Sequence, residues 1–106
     1  MAQFFDAAGR QWFLAIDGHA LRRVRKSVGV DLLNGPDIKQ LVADRGLLVD
    51  SIAAILEPQI KARRLKPIDV ARALLGNGLA NATNALVDEL YRVTGRKEQD
   101  NEPAEG

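Results

Sequence analysis

Hydrophobic positions fall into two regimes along this chain. Residues 4–16 crowd Phe, Trp, Leu and Ile on either side of a polar turn, whereas from Ala20 onward apolar residues recur at three- and four-residue spacing, the period of a helix. In the first regime, Asp6-Ala7-Ala8-Gly9 places Asp at the first and Gly at the fourth turn position, which predicts a type I turn closed by a left-handed glycine. Such a hairpin loop fixes a register: Asp6 faces Arg10, Phe5 faces Gln11, Phe4 faces Trp12 and Gln3 faces Phe13. One face then carries Phe4, Trp12, Leu14 and Ile16 and reads as core, while the other carries Phe5, Phe13 and Ala15 among glutamines. A two-stranded ribbon is marginal in water, so the first face has to pack on the rest of the chain.

The second regime divides into helices by its punctuation. Asp17 is placed to cap a helix with Ala20, Leu21, Val24 and Val28 on one side, and Gly29 stops it. The connector Val30-Asp31-Leu32-Leu33 leads to Gly35-Pro36-Asp37, where proline suits the first turn of a short helix with Ile38, Leu41 and Val42, broken at Arg45-Gly46. A longer helix carries Leu48, Ile52, Ile55, Leu56 and Ile60; Pro58 is expected to kink or split it, and Lys66-Pro67 ends the segment. A brief helix with Val70, Leu74 and Leu75 runs to Gly76-Asn77-Gly78. Asn77 or a neighbour starts the last helix, striped by Leu79, Ala82, Leu86, Leu90 and Val93 and closed by Gly95. The expected fold class is α+β, mostly α: an N-terminal β-hairpin packed on four or five short helices, with residues 1–94 as a single globular domain. Residues 95–106, GRKEQDNEPAEG, hold Ala104 as their one apolar residue and are expected to form a disordered polar tail.

Composition narrows the classes of function. With 106 residues, 46% hydrophobic and 27% charged residues and a formal net charge of +1, the chain is ordinary for a small globular protein. No cysteine is present, which excludes disulfides and thiolate chemistry. The start, MAQFFDAAGR, has an acid and a turn where a signal peptide needs a basic end and an apolar run, and no stretch approaches the ~20 apolar residues of a membrane span. A cytoplasmic protein is expected.

Catalytic and metal chemistry find little support. Asp17 and the single histidine, His19, lack the further ligands of a zinc site. Ser27 and Ser51 have no evident base, and Asp88-Glu89, adjacent on a helix, read as solvated surface. GLLVD and GNGLA match neither glycine-rich phosphate-binding pattern and read as helix punctuation. No enzyme, cofactor or metal site is expected.

Eight of the fifteen basic residues lie in two runs, Arg22-Arg23-x-Arg25-Lys26 and Lys61-x-Arg63-Arg64-x-Lys66, and Arg22, Arg25 and Lys26 share one side of a helix. They are candidates for phosphate contact in a small nucleic-acid-associated regulator. Up to Thr94, however, thirteen basic side chains meet ten acidic ones, a thin surplus for such a role, and the outward face of an amphipathic helix explains the first run as well. For protein binding the candidates are Phe5 and Phe13, which stand diagonally on the second hairpin face of a ribbon with free edges. Either the rings are exposed there or a loop such as Val30 to Asn34 covers them. The stripe through Leu86, Leu90 and Val93 is near heptad spacing, but core packing is the simpler reading.

The order of these elements resembles a known family. The hairpin FxDxxGRxWxLxID, the helix with LRRVR, the connector GVDLL and the late GxxLxxATNALVDEL before a charged tail look like the small tail assembly chaperones encoded in phage and prophage tail operons, over roughly residues 4 to 94. The resemblance implies a non-catalytic, self-associating protein of the bacterial host cytoplasm that binds tape-measure and tail-tube proteins during tail assembly. It also implies that a longer form made by translational frameshifting would extend from the polar tail.

Overall fold

Turn chemistry at Asp6 to Gly9 starts the molecule as its register requires. The computed structural model describes residues 2–76 and 78–95. Strands β1 (Ala2–Phe5) and β2 (Gln11–Leu14) pair antiparallel, Phe5 opposite Gln11, Phe4 opposite Trp12 and Gln3 opposite Phe13. Gly9 closes the loop at φ 82°, a left-handed conformation open to glycine without a Cβ clash. Asn77, expected near the start of the last helix, and the expected tail beyond Gly95 lie outside the described residues.

Among the described residues five helices follow: α1 (Gly18–Val28), α2 (Gly35–Ala43), α3 (Arg45–Ala62), α4 (Pro67–Leu75) and α5 (Gly78–Thr94). Their ends obey local capping. The Asp17 carboxylate accepts from the Ala20 N–H at 2.8 Å, which together with lesser effects holds its pKa below the ordinary range, and Gly29 ends α1 at φ 82°. Asn34 accepts from the Asp37 N–H at 3.0 Å beside Pro36. One boundary differs from expectation: Arg45-Gly46 is not a break but the first turn of α3. Asp44 ends α2 and at the same time caps α3, accepting from the Leu47 N–H at 3.1 Å.

Helix α3 is the centre of the fold, touching every other helix and β2. Leu48, Val49, Ile52, Ile55, Leu56 and Ile60 are buried along one broad side of it, while Asp50, Glu57 and Lys61 face outward. Ser51 is fully buried beside them. Phe4, Trp12, Leu14 and Ile16 enter the same core, with Ala82, Ala85 and Leu86 of α5, while Leu90 and Val93 pack against its edge. The stripe on α5 is therefore core packing.

Pro58 does not split α3, which runs unbroken to Ala62. Proline cannot donate to the carbonyl four residues earlier, that of Ala54. Arg23 of α1 supplies the missing donor: its Nε meets the Ala54 carbonyl and its Nη2 the Ile55 carbonyl, both at 2.9 Å. Arg23→Ala is expected to cost about 2 kcal/mol, because it strands a carbonyl inside a helix contact. Adding Pro58→Ala restores an intrahelical donor and should recover most of that loss. Urea unfolding of the two single variants and the double variant measures the coupling; simple additivity would contradict the compensation.

Glu89 is not the solvated surface acid expected from its place beside Asp88. It is 1% exposed. Its Oε2 accepts from the Ile16 backbone N–H at 3.0 Å, and Arg92 donates to both carboxylate oxygens, at 2.9 and 2.6 Å. The carboxylate thus ties α5 to the junction between hairpin and α1. Arg92 lowers its pKa, burial opposes this, the Ile16 N–H lowers it further, and the group falls from an ordinary 4.5 to about 2. A depressed carboxylate stabilises the fold fully above its unfolded pKa and loses that contribution as pH falls through the folded one. Stability should therefore decline by about 2–3 kcal/mol between about pH 5 and pH 2, Arg92 being half exposed and its attraction screened. Glu89→Gln should flatten this part of the pH–stability curve; an unchanged slope would exclude Glu89 as its source.

Candidate binding surface

The hairpin is mounted by polar side chains at its turn and along both outer edges. At the turn, Asp6 is buried, and its carboxylate accepts from Ala8 N at 2.9 Å, Arg10 N at 2.9 Å, Arg10 Nη1 at 3.0 Å and Trp12 Nε1 at 2.9 Å. Burial alone would raise the Asp6 pKa; the Trp12 indole, the Arg10 backbone and side chain and the Ala8 N–H together outweigh it, and the pKa falls below the ordinary range. Just beyond, the Ala7 N–H donates to the Ala73 carbonyl at 3.1 Å, docking the loop on the end of α4.

Neither edge of the ribbon is free along its length, which corrects the expectation from sequence. The Gln59 amide behaves like a neighbouring strand toward β2, accepting from Phe13 N at 3.1 Å and donating to Phe13 O at 2.6 Å. One turn on, Arg63 donates to Gln11 O at 2.6 Å and lies 4.3 Å above the Trp12 ring, so a member of the second basic run serves as a cation–π lid on the core. On the β1 side Asn81 of α5 donates to Phe5 O at 3.1 Å. No local pattern marks Gln59, Arg63 or Asn81 for this work; only the unmet backbone groups of an edge strand call for such partners.

What remains open is the second hairpin face. Phe5 is 52% and Phe13 40% exposed. The segment Val30 to Asn34 does not cover them: Val30 and Leu32 are buried in the core, and Leu32 and Leu33 line a groove against Val87, Leu90 and Tyr91 of α5. Gln11 Nε2 donates to Gln3 Oε1 across one diagonal of this face, and the two rings stand at the ends of the other. The surface is thus two separate aromatic contacts around a polar bar, on a ribbon fixed at three sides.

The basic face of α1 is weaker than its sequence. Arg22, Arg25 and Lys26 are exposed, but Arg23 is turned to α3, and Arg25 lies 3.8 Å from Asp31 in a largely solvated pair. Among the described residues no cluster of three or more His, Asp or Glu side chains could hold a metal, and no helix is long and apolar enough to cross a membrane. Compared with known proteins, the chain matches no family model, no curated protein and no solved structure.

Proposed function

We propose that this chain is a non-catalytic assembly protein of the tail-chaperone kind, which uses the Phe5 and Phe13 face to hold tape-measure and tail-tube proteins in the host cytoplasm. The observation that carries the reading is the exposure of two large rings on a hairpin whose turn and edges are pinned by Asp6, Gln59, Arg63 and Asn81. Exposed aromatics on a fixed support lose little conformational entropy on binding and are the usual anchors of protein interfaces. The Gln3–Gln11 bar between them adds hydrogen-bonding groups that set the orientation of a partner.

The test is co-expression with the tape-measure and tail-tube proteins of the same operon, followed by co-purification. The native chain is expected to retain one of them, and Phe5→Ser with Phe13→Ser to reduce capture at least tenfold while the thermal unfolding midpoint stays nearly constant. Failure of the native chain to bind either protein would overturn the proposal. Tight binding to RNA or DNA with a log–log salt slope near −2.7, as three phosphate contacts from Arg22, Arg25 and Lys26 would give, would replace it with a nucleic-acid role.

A further inference from the structure

Beyond the hairpin face, exposed apolar side chains gather at the C-terminal ends of α2 and α4. Val42, 53% exposed, and Leu75, 46% exposed, line one groove of about 940 Å³, with buried Leu48 and half-buried Leu79 also in its wall. Helix α4 extends this surface. Its inner side buries Val70, Ala73 and Leu74, yet Ile68, seven residues before Leu75 and so two turns away on the same side, is 57% exposed. A nine-residue helix with apolar groups on two sides has one side without a partner.

The charges on this surface say what kind of partner fits. Arg45 lines the groove, and Arg72 lies between Ile68 and Leu75 on the outer side of α4. Among the described residues neither side chain makes a hydrogen bond or ion pair, and no Asp or Glu lines the groove. Neither is held in an ion pair by the nearest acids in sequence: Asp44 is engaged as the cap of α3, and Asp69 makes no ion pair with Arg72. A second copy docked by a twofold axis would bring these cations toward their own equivalents, which like-charge repulsion disfavours.

We infer that this groove and the outer side of α4 form a second docking surface, for an acidic amphipathic helix of a partner protein whose apolar stripe covers Ile68, Leu75 and Val42 and whose carboxylates meet Arg45 and Arg72. This mode is helix-in-groove recognition, with apolar anchors at helical spacing and charge fixing the orientation. It stands independently of the hairpin reading.

The experiment titrates the full chain, methyl-labelled at Ile, Leu and Val, with a synthetic 18-residue helix bearing a leucine stripe flanked by glutamates, and with the same peptide carrying lysines in place of the glutamates. At low salt the glutamate peptide is expected to bind at least tenfold more tightly than the lysine peptide and to shift the Val42, Ile68 and Leu75 methyls first. Arg45→Glu with Arg72→Glu should invert the preference, and Ile68→Ser with Leu75→Ser should abolish binding; all four positions are exposed, so the fold is preserved. Phe5→Ser with Phe13→Ser should leave peptide binding unchanged, which keeps this result separate from the capture experiment above. Equal affinity for the two peptides, absence of binding, shifts centred on other methyls, or self-association that protects Val42 and Leu75 would each overturn the inference.

Discussion

Replacing Asp6 with alanine is expected to destabilise the protein by about 3–5 kcal/mol, the range for removing one partner of a buried, hydrogen-bonded charge. The carboxylate is wholly buried and gathers four donors, so its loss strands the Trp12 indole N–H inside the core and leaves two backbone N–H groups of the turn without their acceptor. Asp6→Asn is no remedy. Its amide can still accept from the Ala8 and Arg10 N–H groups, but it then presents an NH2 to the Trp12 indole and the Arg10 guanidinium, donor against donor. Arg10→Ala, by contrast, removes only a partly exposed partner and should cost about 1 kcal/mol or less. For a domain of this size the Asp6→Ala loss corresponds to a fall of roughly 15–30 °C in thermal midpoint. A fall of only a few degrees would show that the turn holds without its carboxylate. Because Asp6 sets the hairpin that carries Phe5 and Phe13, Asp6→Ala should also abolish partner capture, and it should do so with a loss of stability that the ring substitutions do not cause.

Gly78→Ala is the second large effect, expected at about 3 kcal/mol, the upper part of the usual range for overpacking. A Cβ on Gly78 would lie 2.5 Å from the Ala73 carbonyl oxygen, 2.9 Å from Ala7 N and 3.0 Å from Asp6 Cα, all of them backbone atoms. The clash falls on the hydrogen bond from Ala7 N to Ala73 O, by which the hairpin loop is docked at the corner between α4 and α5. Either that bond opens or α5 moves away from the hairpin. Gly18→Ala is the matched control: it too is the first residue of a helix, but nothing lies within 4 Å of its added Cβ, and it should be neutral or stabilising by up to about 1 kcal/mol through helix propensity. Chemical unfolding of both variants tests the contrast; equal effects would exclude the close approach as the cause.

The candidate surface was partly legible in the sequence. Phe5 and Phe13 were placed on one face by the hairpin register, since strand alternation and turn type act between neighbours. Whether that face was covered depended on where the segment Val30 to Asn34 went, and its apolar residues fit a loop over the hairpin as well as the position they take in the core near α5. The basic helix shows the same limit. Spacing put Arg22, Arg25 and Lys26 together, but nothing local announced that Arg23 belongs to Pro58, thirty-five positions away in the chain.

By itself the sequence determined what short-range physics controls: the turn at Asp6 to Gly9 and its register, the caps at Asp17 and Gly29, and the proline at the start of α2. It did so because capping, turn chemistry and periodicity involve residues within about one helical turn of each other. Only the tertiary structure decided that Glu89 is buried, that α3 survives its proline, that Gln59, Arg63 and Asn81 occupy the hairpin edges, and that Gly78 sits at a corner with no room for a Cβ. Each of these joins groups far apart in the chain, and in each a polar or small residue is chosen to satisfy a backbone group or a close contact that exists only once the elements have packed.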